Sequence, residues 1–185
     1  MTADRDAAEE IVWQGRFITA NKRGRWEYVG RARGIRAAVI LAVDEDDHVL
    51  LVEQYRVPLG KACIELPAGL IGDDGGDEGE DALAAAGREL EEETGYRAAR
   101  LVDLGEYFSS PGMVSEAFTL VRAEELEKVG SGGGVDGEEI TVHRVALTQL
   151  QERVAKWRAE GKAIDVRLLM LLGPQLLAFP RGGRG

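Results

Sequence analysis

Between Glu80 and Tyr96 the chain sets Glu89, Glu91, Glu92 and Glu93 around Arg88 and Leu90. Wound as an α-helix at about 100° per residue, Glu89, Glu92 and Glu93 fall within an arc of roughly 100°, and Glu91 turns away to solvent. Three carboxylates on one face repel one another unless a cation sits among them. Hard oxygen donors on a rigid element suit Mg²⁺ or Mn²⁺. Arg88 stands four residues before Glu92, so it can pair with it and hold it. A solvated acidic helix would carry the same charges, and helix geometry alone leaves both readings open.

Such a face needs a scaffold. Ala82, Ala85 and Ala86 precede it on the same side and are small enough to press against a sheet, and Gly95 supplies a left-handed stop. With 185 residues, 44% hydrophobic and 30% charged, the chain has material for one good core. Residues 1–8 read as a disordered tail. Residues 9–33 read as a β-hairpin, with Ile11, Trp13 and Phe17 before a turn at Asn21–Gly24 and Trp26 and Tyr28 alternating after it. The main domain spans 34–178 and a short tail 179–185. Within it, strands are predicted at Ile35–Val43, His48–Tyr55, Ala62–Leu66, Leu101–Phe108, Val114–Val121 and Glu139–Ala146. A glycine-rich loop covers Gly130–Gly137. Thr148 and Gln151 predict a capping box, with Leu147, Leu150, Val154 and Trp157 on one face of a helix ending at Gly161. A last apolar helix runs from Asp165 to Leu172. The order of elements predicts an α+β fold, a mixed-sheet sandwich with helices on its faces.

The net charge of −10 argues against a nucleic-acid partner, whose phosphates need a basic surface. No stretch is long and apolar enough for a membrane span, and the first residues are not a signal peptide, so a cytoplasmic protein is expected. The single cysteine, Cys63, lies in an apolar run and reads as a buried thiol. His48 reads as a surface residue and His143 as one that serves packing or solvent.

Glu80, Arg88-Glu89-Leu90, Glu92-Glu93, Gly95 and Tyr96 resemble the later part of the Nudix box, G-x5-E-x7-R-E-U-x-E-E-x-G-U, position for position. The family glycine would be Gly69, with ten residues between it and Glu80. The surplus within Gly72–Gly79 reads as a lengthened surface loop, which costs little. Glu65–Ile71, Glu53–Gly60 and Pro111 extend the resemblance to the ADP-ribose pyrophosphatase branch.

That resemblance implies a Nudix α/β/α sandwich with a small amino-terminal sheet, shared across a homodimer, whose aromatics Trp26 and Phe17 sandwich a base. It implies metal ligation by Glu89, Glu93, the Ala68 carbonyl and Glu92, with Glu80 assisting behind them. It assigns catalytic duties to Glu92, Arg88 and a loop acid, Glu138 or Glu139, of which Glu138 lies at the more mobile end. Arg31 and Arg56 would grip phosphates, since a planar guanidinium binds them bidentately. Pro111, with Gly112 and Met113, would contact the substrate. The implied activity is Mg²⁺-dependent hydrolysis of ADP-ribose to AMP and ribose 5-phosphate. Two readings stand beside it: the same chemistry on another nucleoside diphosphate sugar such as GDP-mannose, and a non-catalytic nucleotide sensor. The intact acidic set argues against the sensor.

Overall fold

The computed structural model describes residues 2–32, 36–72, 81–135 and 137–177. Residues 1–8, expected to be a tail, include one helical turn, α1 (Thr2–Arg5). It is tied down by Asp4, which accepts from the Arg25 backbone at 3.0 Å and pairs with its guanidinium at 2.7 Å. The amino-terminal unit is an antiparallel sheet of three strands, β1 (Glu9–Gln14), β2 (Ile18–Arg23) and β3 (Trp26–Arg31), in that order. Asn21 is central rather than in a turn, because it pairs with Ile11 on one side and Tyr28 on the other. The chain reverses instead at Gly24, whose φ of +59° suits a glycine.

Two four-stranded sheets follow. One runs β7 (Ala68–Ile71), β4 (Arg36–Ala42), β9 (Ala117–Lys128), β8 (Tyr96–Phe108). The other runs β10 (Thr141–Ala146), β5 (His48–Arg56), β6 (Lys61–Glu65), β11 (Ala163–Ile164). Strand β4 is parallel to β9, and β11 to β6, so both sheets are mixed. The apolar run through β4 follows from burial on both faces. Val39 points into a core shared with Leu51, Ile64, Leu66, Trp157 and Leu168, while Ala38, Ile40 and Ala42 point into a second core with Ala85, Ala86 and Leu90. The second core belongs to α2 (Ala82–Glu89). The first belongs to α3 (Leu150–Ala159) and α4 (Leu169–Leu177). The sheets therefore carry helices on opposite faces.

Strands β8 and β9 extend well past the expected bounds. Their outer ends carry a charged ladder of Arg97, Arg100, Glu124 and Glu127 on one face, while Tyr96, Ala98 and Leu126 pack against the second core from the other. Val114 is outside β9 and bridges singly to Val29. The capping box does not form: Leu147–Gln149 is a 3₁₀ turn, and α3 starts at Leu150 without a side-chain cap. Asp165 caps a second 3₁₀ turn, Val166–Leu168, by accepting from the Arg167 N–H at 2.7 Å. Strands β7 and β11, four and two residues long, are too short to show a period. None of the described helices is long and apolar enough to cross a membrane.

Candidate functional site

Helix α2 does not end in an α-turn. Leu90–Thr94 widens into a π-helical turn that closes at Gly95, φ +70°. Turns of this kind often mark functional segments. The widened turn presents Glu89, Glu92 and Glu93 to one cleft and sends Glu91 outward, where it pairs with Arg97 at 2.9 and 3.0 Å. Arg88 donates to Glu89 at 2.9 Å and Glu92 at 3.1 Å, so one guanidinium orients two carboxylates.

Strand β7 lies directly against this face. The Ala68 N–H donates to Glu93 Oε2 at 3.0 Å. A Cβ on Gly69 would stand 1.9 Å from the Glu89 carboxyl carbon, so any other residue there would push that carboxylate aside. Glu93 is 7% exposed. Burial pushes its carboxyl up to about 8, and Glu89 and Glu138 add repulsion that the Ala68 N–H and Arg56 only partly offset. Burial also raises Glu89, with Glu92 and Glu138 adding to the effect against Arg88. Glu93 is buried and Glu89 and Glu92 half-buried, and all three face the same cleft beside the β7 backbone edge. Such hard oxygens are the donor type a divalent cation takes, but among the described residues they do not draw together as a group with all ligand atoms within 4.8 Å.

The cleft holds about 730 Å³. Besides Arg88, three arginines line it, each paired with a carboxylate. Arg31 pairs with Glu116 at 2.6 Å, and Arg56 grips Glu65 through two bonds of 2.6 and 2.9 Å. Arg167 also reaches Glu65, at 3.2 Å, and is itself clamped by Asp165 at 2.6 and 2.8 Å. Glu65, Glu116, Asp165 and Arg167 line the cleft and carry no duty in the sequence reading. A charged pair opening an apolar helix, Asp165 and Arg167, was the available signal.

Glu138 lines the cleft beside Glu89 and Glu93. Glu139 lines an adjoining hollow of about 370 Å³ with Glu53 and Tyr55, which Glu138 also borders. Trp26 and Phe17, 56% and 57% exposed, are not among the residues lining the cleft. Neither are Pro111, Gly112 and Met113, which form an exposed turn. That turn is bonded to the strand that carries Trp26: Val29 N–H donates to Met113 O, and Ser115 N–H to Val29 O, each at 2.9 Å. Glu80 and the loop 73–80 lie outside the described residues.

A second acidic group, Asp44, Asp46 and His48, brings its ligand atoms within 4.8 Å of one another. Arg144 already spans Asp44 and Asp46, and Asp44 accepts from the backbone of Asp46 and His48, so this group shapes a turn. His143 packs edge-on against Trp157 and bonds Glu53 at 2.8 Å, and Cys63 is buried, as expected of both.

A family model described as the NUDIX domain matches residues 32–164. The chain is 35% identical over 175 residues to an uncharacterised Nudix hydrolase of Schizosaccharomyces pombe, covering 86% of this chain and 80% of that protein. It is 36% identical over 112 residues to an ADP-ribose pyrophosphatase of Bacillus subtilis, where the match spans 60% of this chain and 58% of the relative. It is 36% identical over 149 residues to a GDP-mannose pyrophosphatase of Cronobacter sakazakii, covering 76% and 72%. The fold resembles that of a solved ADP compounds hydrolase, with a TM-score of 0.65 at 24% identity over 91% of each chain.

Proposed function

The chain belongs to the Nudix hydrolase family, and we propose that it hydrolyses the pyrophosphate bond of ADP-ribose to give AMP and ribose 5-phosphate. The observation that carries this reading is one cleft lined both by the three carboxylates of the acidic turn and by arginines held in ion pairs. A pyrophosphate needs both, since its negative charge repels an attacking water and must be held while the bond breaks.

In this reading Glu89, Glu92, Glu93 and the Ala68 carbonyl hold a divalent cation, Mg²⁺ or Mn²⁺. The cation supplies charge screening at the phosphate oxygens and makes water a better nucleophile. The remaining steps belong to the chain. Arg88 fixes Glu89 and Glu92. Arg31 and Arg56, held by Glu116 and Glu65, offer their remaining N–H groups to the phosphates without first having to be ordered. Glu138 accepts the proton of the attacking water. Trp26 and Phe17 take the base in a homodimer in which the three-stranded sheet of one copy contacts the other. The exposure of Ile11, Trp13, Phe17 and Trp26 supports that arrangement.

A second reading keeps the chemistry and changes the substrate to a GDP-sugar. The match to a GDP-mannose pyrophosphatase over 72% of its length favours it. Incubating the protein with Mg²⁺ and a panel of nucleoside diphosphate derivatives, with products separated by chromatography, decides between them. ADP-ribose should be cleaved fastest, to AMP and ribose 5-phosphate. Faster cleavage of GDP-mannose selects the second reading, and no cleavage of any member removes both.

A further inference from the structure

The last carbonyls of a helix have no partner within it. Here, those of the acidic turn are taken up by one segment far along the chain. Glu92 O accepts from the Gly134 N–H at 3.0 Å and Glu93 O from the Gly133 N–H at 2.9 Å. Thr94 O accepts from Lys128 Nζ at 2.9 Å, and Gly95 O from the N–H groups of Val129 and Gly130 at 2.9 and 3.0 Å. The fit is too close for any side chain at two of the glycines. A Cβ on Gly132 would stand 2.4 Å from the Thr94 carbonyl carbon, and one on Gly95 2.3 Å from Gly130 O. Gly132, Gly133 and Gly134 all have positive φ, so each has a conformation that other residues adopt at a cost. Beyond the clasp the chain turns once. The Glu138 N–H donates to Val135 O at 3.0 Å, and Glu138 Oε2 accepts from the Val135 N–H at 3.3 Å. A Cβ on Gly134 would lie 2.6 Å from that Oε2.

We propose that Gly132–Gly134 is a positioning segment for Glu138: it locks the loop acid to the backbone of the same turn that presents Glu92 and Glu93, before any substrate arrives. The inference rests on the reading of Glu138 as the group that handles the attacking water. Its consequence is that distance among Glu93, Glu89 and Glu138 is set by main-chain bonds between two elements rather than by closure of a free loop.

The test is a double-mutant cycle of Gly134→Ala and Glu138→Gln, with Gly161→Ala as a control. Gly161 has the same φ of +83° as Gly134 but no atom near its Cβ position, so it reports backbone strain alone. Kinetics use whichever panel substrate is cleaved fastest. Gly134→Ala should lower kcat roughly 10- to 100-fold, as misplacement of a reacting group does, with KM within about twofold of wild type. Gly161→Ala should leave kcat near wild type. In the Glu138→Gln background Gly134→Ala should cost less than about a further twofold, because it acts only through that side chain. An equal loss in both backgrounds, or an undiminished kcat in folded Gly134→Ala, overturns the proposal. Full activity in Glu138→Gln overturns the reading beneath it instead. If Gly134→Ala melts below the assay temperature, amide exchange on the wild type decides: the Gly133 and Gly134 amides should be protected without ligand, and free exchange there rules the clasp out.

Discussion

Glu53 and Trp26 are single side chains whose roles can be separated from the chemistry. Burial by itself would raise the Glu53 carboxyl, but hydrogen bonds from Lys162 and His143 outweigh it and hold it below its ordinary 4.5. A depressed carboxylate stabilises the fold fully above about 4.5, and the contribution is lost as pH falls through the lower folded value. Glu53→Gln should therefore cost about 1.5–3 kcal/mol near pH 7, the scale of a hydrogen bond to a charged group. The gap in melting temperature from wild type should close as pH drops below that range. A gap constant down to strongly acid pH would mean that the ion pair with Lys162 and the hydrogen bond with His143 contribute little. Trp26→Ala should raise KM by removing roughly 1–3 kcal/mol of stacking, with kcat little changed. An unchanged KM in a folded dimer leaves Trp26 as packing only. The acidic residues were legible because Glu89, Glu92 and Glu93 lie close together in sequence and keep a helical spacing. Glu65, Glu116 and the Asp165–Arg167 pair were not, because they are brought to the cleft from β6, from the segment before β9 and from the turn before α4, which only the tertiary fold sets side by side.

Between elements, the close approach of β7 to α2 is the most sensitive contact in the site. Gly69→Ala would drive a methyl into the Glu89 carboxylate, so turnover should fall roughly 100-fold, as an angstrom-scale displacement does, while circular dichroism stays near wild type. Wild-type turnover in that variant would show that Glu89 can move without consequence. The expected core strands appear because β4 and β5 are buried on both faces and their apolar runs leave no other reading. The outer halves of β8 and β9 were hidden by their charges, and β7 by its length. The π-helical turn at Leu90–Thr94 left no trace in the sequence, since a change of helical pitch does not alter which residues are acidic. The capping box failed because Thr148 falls inside a 3₁₀ turn one step before the helix begins.

For the whole molecule, the amino-terminal sheet is the part least accounted for within one chain. Its three strands bury few of their own apolar side chains, and Ile11, Trp13, Phe17 and Trp26 are each more than half exposed. A two-fold homodimer would cover them, and light scattering at micromolar protein should return twice the 20.1 kDa chain mass. A monomer mass would remove the shared base-binding arrangement while leaving the cleft as it is. The most direct test of the central claim, that the acidic face of α2 and its π-helical turn drives pyrophosphate hydrolysis, is product formation from ADP-ribose by wild type and Glu93→Gln, each with Mg²⁺ and with excess chelator. Wild type with Mg²⁺ should release AMP and ribose 5-phosphate, and both the chelated wild type and folded Glu93→Gln should be slower by about two orders of magnitude or more. Undiminished turnover in chelator, or in Glu93→Gln, would contradict it.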